Sequence, residues 1–545
     1  MYRQVLDPFA HSLAWSALLA TLPVAALFAL LGLARTKAWK ASLGALAVAA
    51  LVAAVVYPMP VGQVALAAGQ GAAFGLFPLA WTFVTAIWIY QMTVETGHFN
   101  LLSGSFARVS GDQRVQAIVI AFCFGALLEG LAGQGTPVAI TTVMLIAVGF
   151  TPLKSASIAL VANTVPAAFG PLGLPITTLA KVTGLPSAQL GSMAGRQVPI
   201  IALFVPLLLV VVADGRRGLR EAWWPALAAG MSFALTQFVV ANYVAMPLAD
   251  IGAAMLSACV VAMVARTRPA AAFRLVPAMA GGSLDEPDPM LRRRLELRDT
   301  RAEVLRAYSP YMVIVAIFVL SQWSLVGHLL NGPTKSFNWP GLHVYSPSGK
   351  VSSLTIFKFN YLATTGTLLL AAGLITMAVL RIAPRAALAA YWRVLVRLRG
   401  AIVAVAGLLA LSFVMNTSGQ TATLGTWMAS AGHSFALLSP IVGWLGVSLT
   451  GSDTSSNSLF GALQVTAAGK AGLSTTLLAA ANASGGVVGK MISLQNLTIA
   501  AGAVGLEGGE GRLFRRMLPW SLVLLAGMCL IVGLQSTSAL SWMVP

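Results

Sequence analysis

Apolar runs close to 20 residues long recur from one end of the chain to the other, separated by short polar segments. A helix of about 20 residues crosses the hydrocarbon core of a bilayer, so this pattern predicts an all-α, polytopic membrane protein. Ten runs are predicted to span the membrane, at about 12–34, 40–57, 72–92, 196–213, 222–245, 248–265, 309–330, 361–382, 401–417 and 518–543.

Two further stretches, 116–180 and 437–500, are apolar as well but are interrupted by Gly, Pro, Ser, Thr and Asn. Interruptions of this kind break a membrane helix, and broken helices in transporters present backbone amides and carbonyls to a binding site. We therefore expect the functional residues to lie in these two stretches.

The composition supports the membrane assignment and narrows the alternatives. Only 9% of the residues are charged and 58% are hydrophobic, whereas a soluble domain has about 25% charged residues. The net charge of +18 comes from Lys and Arg in short loops, which indicates the positive-inside bias and no nucleic-acid partner. The three cysteines are far apart in sequence, so we predict neither a metal site nor a cofactor.

The positions of Lys and Arg predict the orientation of the chain in the membrane. The segments 58–71 and 246–247 carry none and should be loops that face outward. Both termini are then periplasmic, and the protein is expected in the bacterial inner membrane. The segments that hold most of the basic residues, and should be cytoplasmic, are 34–40, 214–220, 266–306, 381–399 and 512–516.

The chain also repeats itself weakly. Three short matches occur in the same order at offsets of 318 to 322 residues, and they pair 94–97 with 416–419, 133–136 with 451–454, and 162–164 with 481–483. Helix 72–92 is predicted to run inward and its counterpart 401–417 outward, so the two copies form an inverted repeat. The predicted units are an N-terminal helix (1–37), a first repeat (38–245), a connector (246–356) and a second repeat (357–545).

Two carboxylates within apolar stretches are the candidates for proton coupling, because a charge in the hydrocarbon region is costly. Glu129 precedes a Gly-rich break, and Asp453 lies in the matching break of the second half. Amides and hydroxyls in such a break can bind an anion at a half-helix N-terminus. The substrate-binding residues predicted there are Gly133, Gln134, Gly135, Thr136, Ser452, Thr454, Ser455, Ser456 and Asn457.

Three more candidates lie farther along the two broken stretches. Asn163 and Asn482 are predicted at matched positions, each ending the second half of its stretch, beside backbone that lines a substrate site. Three roles fit Lys490: pairing with a substrate carboxylate, pairing with a buried acid, or extending to the membrane interface. The glycines at 485–489 fit an unwound site and a tight helix crossing equally well.

Structural roles for the two acids also fit the sequence, Glu129 as a paired buried charge and Asp453 as a cap of the helix that follows it. No Lys or Arg lies near Glu129 in sequence, and its apolar surroundings disfavour the charged form. The hydroxyls beside Asp453 favour an ionised carboxylate instead. Glu129 is therefore the predicted proton carrier, and Asp453 the predicted organiser of the second broken helix.

The sequence resembles the lactate permease family of bacterial proton-linked symporters over nearly its whole length. The motifs that carry the resemblance are CFGALLEG at 123–130, PVAIT at 137–141, TGSDTSSN at 450–457 and GKMIS at 489–493. The resemblance implies uptake of L-lactate, and often of D-lactate or glycolate, together with a proton. It also implies a wider ion-transporter superfamily with paired re-entrant hairpins.

Three residues depart from the family pattern. Gln134 replaces an aromatic residue, Asn360 replaces an Asp, and Leu494 replaces a Pro. The first bears on substrate preference, and the second removes one candidate proton carrier.

A sodium-coupled carboxylate carrier, with Asn163 and Asn482 at the ion, is the alternative function. A channel is disfavoured because no filter motif repeats, and an enzyme because no nucleophile–base pair or His/Cys/Asp cluster occurs. The segment 485–491 lacks the first Gly and the Ser/Thr of a phosphate loop, so a gradient must drive transport. The expected partners are a small monocarboxylate, protons and the lipid bilayer, and a homo-oligomer is compatible with the sequence.

Overall fold

The computed structural model describes residues 2–34, 36–107, 109–131, 133, 135–267, 300–321, 323–346, 355–505 and 510–545. Gln134 and most of the predicted loop 266–306 lie outside these ranges.

Within the described ranges, ten helices are long and apolar enough to cross a membrane. A further candidate is formed by Leu305–Ser321 and Ser324–Asn331, which meet at 86°. The prediction of an all-α, polytopic membrane protein is confirmed. The ten helices are Leu13–Leu31, Ala38–Val55, Val61–Glu95, Gln113–Leu131, Ser187–Val244, Met246–Thr267, Pro384–Ser418, Gln420–Thr450, Thr475–Ala503 and Glu510–Gln535.

Shorter elements connect or flank these helices. Two pairs of short strands lie outside the apolar helices, Tyr2–Arg3 parallel to Val344–Tyr345 and Lys335–Asn338 antiparallel to Ile356–Phe359. The remaining helices of ten residues or more are His98–Ala107, Thr136–Val148, Pro152–Ala162, Leu174–Thr183, Thr365–Val379 and Asp453–Ala471.

The prediction of an outward loop at 58–71 is wrong, because Val61–Phe74 is helical. Its Gly and Gln residues lower the hydropathy, but the alanines between them favour a helix. The predicted cytoplasmic segment 214–220 is a tight bend within a long helical stretch, where Asp214 and Gly215 leave helical geometry.

The helices that carry the predicted breaks form the centre of the molecule. Gln113–Leu131 is buried along its whole length, and Thr475–Gly489 along nearly all of it. Leu13–Leu31 and Glu510–Gln535 are mostly exposed by comparison. Burial on every side explains why the central stretches are apolar without a polar face.

Four breaks interrupt the central helices, two in each half of the chain. The opposite orientation of the two halves stays a prediction. The first break, described at Gly133 and Gly135, separates Gln113–Leu131 from Thr136–Val148, and the second (163–173) separates Pro152–Ala162 from Leu174–Thr183. The third (451–452) separates Phe435–Thr450 from Asp453–Ala471, and the fourth (490–493) separates Thr475–Gly489 from Leu494–Ala503.

Glycines allow two of the central helices to cross backbone against backbone. A Cβ atom added to Gly443 would overlap the carbonyl of Asn482, and one added to Gly485 would overlap the carbonyl of Pro440. The glycines at 485–489 therefore serve a helix crossing and not an unwound substrate site.

Because this crossing keeps the glycines helical, Asn482 lies inside Thr475–Gly489 and not at its end. Asn163, by contrast, directly follows Pro152–Ala162. The prediction that the two asparagines occupy equivalent helix ends is therefore wrong.

An ion-pair cluster ties the start of the central helix Gln113–Leu131 to the bend at 214–220. Arg114 is buried, and its guanidinium donates to Asp112 at 2.9 Å, to Asp214 at 3.3 Å and to Glu221 at 2.7 Å. Asp112 also caps the helix, since its Oδ1 accepts from the Arg114 amide at 2.8 Å. We refer to these four residues as the Arg114 cluster.

Candidate functional site

A cavity of about 300 Å³ lies between the breaks and the surrounding helices. This volume is at the lower end of the range for small-molecule sites, about 300–1,000 Å³. Part of its wall is apolar, with Leu27, Phe83, Val405 and Leu408. The polar part is formed by Glu129, Thr450, Ser452, Asp453, Thr454, Ser455, Lys490 and Gln495.

Lys490 is the buried cation of this cavity. It opens the fourth break and is 5% exposed, and its Nζ donates to Glu129 Oε1 in a buried ion pair. Of the three roles considered for Lys490, extension to the interface is wrong, and pairing with a buried acid is confirmed. Glu129 is thus a paired buried charge, as the structural alternative predicted, and its partner is 361 residues away in sequence.

The first and second breaks fold closely around Glu129. The amide of Leu172 donates to the carbonyl of Gly130 at 2.9 Å, which joins the second break to the helix end just before the first break. A Cβ on Gly170 would lie 3.0 Å from Glu129 Cγ, and one on Gly133 would lie 3.4 Å from Glu129 Oε1. Glycine at these positions leaves room for the carboxylate, whose Oε2 is buried and has no hydrogen-bond partner among the described residues.

Asp453 lies in the first turn of Asp453–Ala471 but does not cap it. The cap is Ser452, whose hydroxyl accepts from the Ser455 amide at 3.4 Å, so the capping role predicted for Asp453 is wrong. Asp453 Oδ2 accepts from Asn457 at 3.4 Å, while Oδ1 has no partner in the described part of the chain. Asp453 Oδ1 faces Gly486, where a Cβ would overlap it.

A hydrogen-bonded amide network lies behind the third break and outside the cavity wall. Asn482 donates to Asn457 at 2.9 Å, and Asn457 donates to the carbonyl of Pro175 at 3.1 Å. Gln464 donates to Asn482 at 3.3 Å, and the Ser456 hydroxyl donates to Gly443 at 3.2 Å. The predicted substrate residues of this network, Ser456, Asn457 and Asn482, therefore bond other protein groups and support the helix that carries Asp453.

The remaining predicted residues that the structure describes lie off the cavity wall. Gly135 adopts a left-handed backbone, φ 81°, immediately before Thr136 begins the next helix. Asn163 is 3% exposed, and neither atom of its amide has a partner among the described residues. Of the family departures, Asn360 follows the strand Ile356–Phe359 and Leu494 begins Leu494–Ala503.

Two residues at or near the site were missed in the sequence. Gln495 lines the cavity beside Gly451, where a Cβ would lie 2.5 Å from its Oε1. Asp250 is fully buried and interacts electrostatically with Glu129 and Lys490. It lies in the predicted span 248–265, so the rule that singled out Glu129 would also have found it.

The chain is similar to several known proteins. A family model described as L-lactate permease matches residues 16–538. The L-lactate permease of Salmonella typhimurium is 37% identical over 100% of both chains, and the glycolate permease GlcA of Escherichia coli is 38% identical over 96% of each. The solved structure of Neisseria gonorrhoeae MtrF matches 86% of this chain and 82% of its own, with a TM-score of 0.47 and 15% identity.

Proposed function

Because the chain belongs to the L-lactate permease family, we propose that it takes up L-lactate and related 2-hydroxymonocarboxylates, D-lactate and glycolate among them, by proton symport. The chain is a multi-pass membrane transporter and not an enzyme. The observation that carries the proposal is the buried ion pair between Lys490 and Glu129 at the wall of the cavity.

A small carboxylate entering this cavity competes with Glu129 for Lys490. A buried ammonium binds a carboxylate through charge-assisted hydrogen bonds, and a second unpaired carboxylate beside it would be costly. Glu129 therefore takes up a proton as the substrate binds. The site has no net charge before binding, when Lys490 faces the ionised Glu129, and none after it, when Lys490 faces the substrate and Glu129 is protonated. One proton therefore accompanies each monocarboxylate.

The rest of the cavity matches the other parts of a 2-hydroxy acid. Thr450, Ser455 and Gln495 offer hydroxyl and amide groups to the second carboxylate oxygen and to the 2-hydroxyl. Leu27 and Phe83 offer an apolar surface to the methyl group that lactate has and glycolate lacks.

Proteoliposomes containing the purified protein test the function directly. We expect saturable counterflow of labelled L-lactate that unlabelled D-lactate and glycolate inhibit, and accumulation that an inward proton gradient drives and an uncoupler abolishes. Lys490→Met should abolish both activities. Lys470→Met, at an exposed position of Asp453–Ala471, is the matched control and should leave both intact.

Two results would contradict the proposal. Accumulation that follows a sodium gradient and resists the uncoupler would indicate the sodium-coupled carrier. Flux that does not saturate and shows no counterflow would indicate a channel.

The orientation is part of the proposal. We place the chain in the bacterial inner membrane with both termini periplasmic and with the repeats 38–245 and 357–545 inverted, which the loop charges support. A cysteine introduced at 290 should then react with a membrane-impermeant thiol reagent only from the cytoplasmic side. Labelling of intact cells from the periplasm would overturn the orientation.

A further inference from the structure

Asp250 is a fully buried carboxylate in the first turn of Ala249–Thr267. Its Oδ1 accepts a hydrogen bond from Gln237 Nε2 at 2.8 Å. Its Oδ2 is buried and has no partner among the described residues. A buried carboxylate with one bonded and one free oxygen is unfavourable when charged and is better accommodated with a proton on the free oxygen.

Asp250 lies directly beside the residues of the proposed coupling site. It packs next to Gly130, where a Cβ would lie 3.6 Å from Asp250 Cβ, and it interacts electrostatically with Glu129 and Lys490. Glu129 and Lys490 line the cavity, whereas Asp250 does not. The substrate therefore has no contact with Asp250, although its two charged neighbours both face the substrate.

Glu129 and Asp250 are each bonded through one carboxylate oxygen only. Glu129 Oε1 bonds Lys490, Asp250 Oδ1 bonds Gln237, and the second oxygen of each carboxylate is buried and unbonded among the described residues. The two carboxylates also interact electrostatically, and two acids coupled in this way can hold a single proton between them. Gln237 keeps its hydrogen bond to Asp250 in either protonation state, and Lys490 stabilises whichever carboxylate is charged.

We propose that Asp250 is a proton relay that delivers the coupled proton to Glu129 from outside the substrate cavity. As Lys490 moves from Glu129 to the substrate carboxylate, the O–H bond of Asp250 breaks and an O–H bond forms on Glu129. The ionised Asp250 then takes up a proton (H⁺) from the aqueous phase on the side from which the substrate enters, so one proton is consumed for each substrate bound. The charged groups that face Asp250 in this scheme are Glu129 and Lys490.

The inference rests on the proposed function and is tested by separating exchange from accumulation. Exchange of labelled for unlabelled lactate needs no net proton movement, but accumulation does. In proteoliposomes, Asp250→Asn should keep exchange within about twofold of the unchanged protein and reduce pH-driven accumulation and lactate-coupled proton influx by about tenfold or more. Asp250→Glu should restore accumulation, because it restores a proton-exchanging group.

Ser257→Ala is the matched control, since Ser257 is a buried polar residue two turns along the same helix. It should leave both activities unchanged. Accumulation by Asp250→Asn equal to that of the unchanged protein overturns the relay, because Asp250 would then be a permanently neutral acid. Loss of exchange in Asp250→Asn that Asp250→Glu does not restore also overturns it, because the role would be structural.

A failure of the proposed function can be distinguished from a failure of the relay. It would appear as absent lactate counterflow in the unchanged protein, or as continued accumulation by Glu129→Gln, whatever Asp250→Asn does.

Discussion

Arg114 and Lys490 are both buried cations near three carboxylates, but the two groups differ in how fully their oxygens are bonded. Arg114 donates to Asp112, Asp214 and Glu221, and none of these acids has a buried oxygen without a partner in the described chain. Lys490 bonds Glu129 and interacts electrostatically with Asp250 and Asp453. Each of these three acids keeps one buried, unbonded oxygen. We refer to Lys490 and its three acids as the Lys490 cluster.

The difference separates a structural role from a transport role. A fully bonded cluster has one stable arrangement, and the Arg114 cluster uses it to fix a helix start to a bend. The Lys490 cluster has one ammonium group for three carboxylates. Its hydrogen bonds therefore change when one of the carboxylates is protonated or when a ligand binds Lys490. Unsatisfied buried polar groups in a native protein call for such an explanation.

The largest effects are expected when the cation of each cluster is removed. These two variants test whether the Arg114 cluster is structural and the Lys490 cluster serves transport. Arg114→Met leaves buried Asp112 beside two more acids and should lower the free energy of unfolding by about 3 kcal/mol. Lys490→Met should lower substrate affinity and transport by about 100-fold or more, with less loss of stability because Glu129 can be protonated. Thermal unfolding in detergent and counterflow in liposomes measure the two. Equal loss of stability in both variants would remove the distinction.

Neutralising one acid in each cluster should give a smaller but cleaner contrast. Glu129→Gln should abolish pH-driven accumulation and keep lactate exchange within about threefold, since exchange returns a loaded carrier without a net proton step. Asp112→Asn, the matched change in the Arg114 cluster, should reduce thermal stability and leave the ratio of accumulation to exchange unchanged. Accumulation against the gradient by Glu129→Gln would show that it does not carry the proton.

The space around Asp453 can be tested through Gly486. The added methyl group of Gly486→Ala would overlap Asp453 Oδ1 and push the carboxylate toward the cavity, so substrate affinity should fall by about tenfold. Gly469→Ala is the control, because nothing lies within 4 Å of its Cβ position. Concentration dependence of counterflow measures both. An unchanged affinity in Gly486→Ala would place Asp453 outside the binding step.

The smallest effect is expected at the rim of the Arg114 cluster. Glu221→Gln removes the charge from a carboxylate whose side chain is 35% exposed, and Arg114 keeps its contacts with Asp112 and Asp214. The melting temperature should shift far less than in Arg114→Met, and transport should not change. A loss of transport would mean that the bend at 214–220 takes part in the transport cycle.

Local sequence patterns predicted much of the architecture and part of the site. Apolar run length identified most of the membrane spans, but the predicted span 361–382 is the shorter helix Thr365–Val379, and the predicted span 309–330 is bent by 86°. The Gly-rich interruptions identified the breaks that approach the cavity. Glu129, Asp453, Ser452, Thr454, Ser455 and Lys490 were all predicted and all line the cavity.

The contacts between distant segments could not be predicted in this way. The partner of Glu129 is 361 residues away, and no local pattern encodes that distance. Asn482 is helical because Gly443 and Gly485 let two helices touch, which is a tertiary effect that overrides local breaking signals. Asp250 needs no such tertiary information. It is a single acid at the start of a predicted span, and the rule that selects Glu129 selects it as well.

The distance between Glu129 and Lys490 also has a consequence for how the protein is made. At about 5–20 residues per second, a ribosome needs roughly 20–70 s to synthesise the 361 residues between them. During that interval the helix Gln113–Leu131 enters the membrane without the cation that balances its carboxylate. A protonated Glu129 or temporary shielding by the insertion machinery must cover this period. The N-terminal half therefore reaches its final packing only after the segment that contains Lys490 has been synthesised. A chain truncated before Lys490 should be a substrate for membrane quality-control proteases.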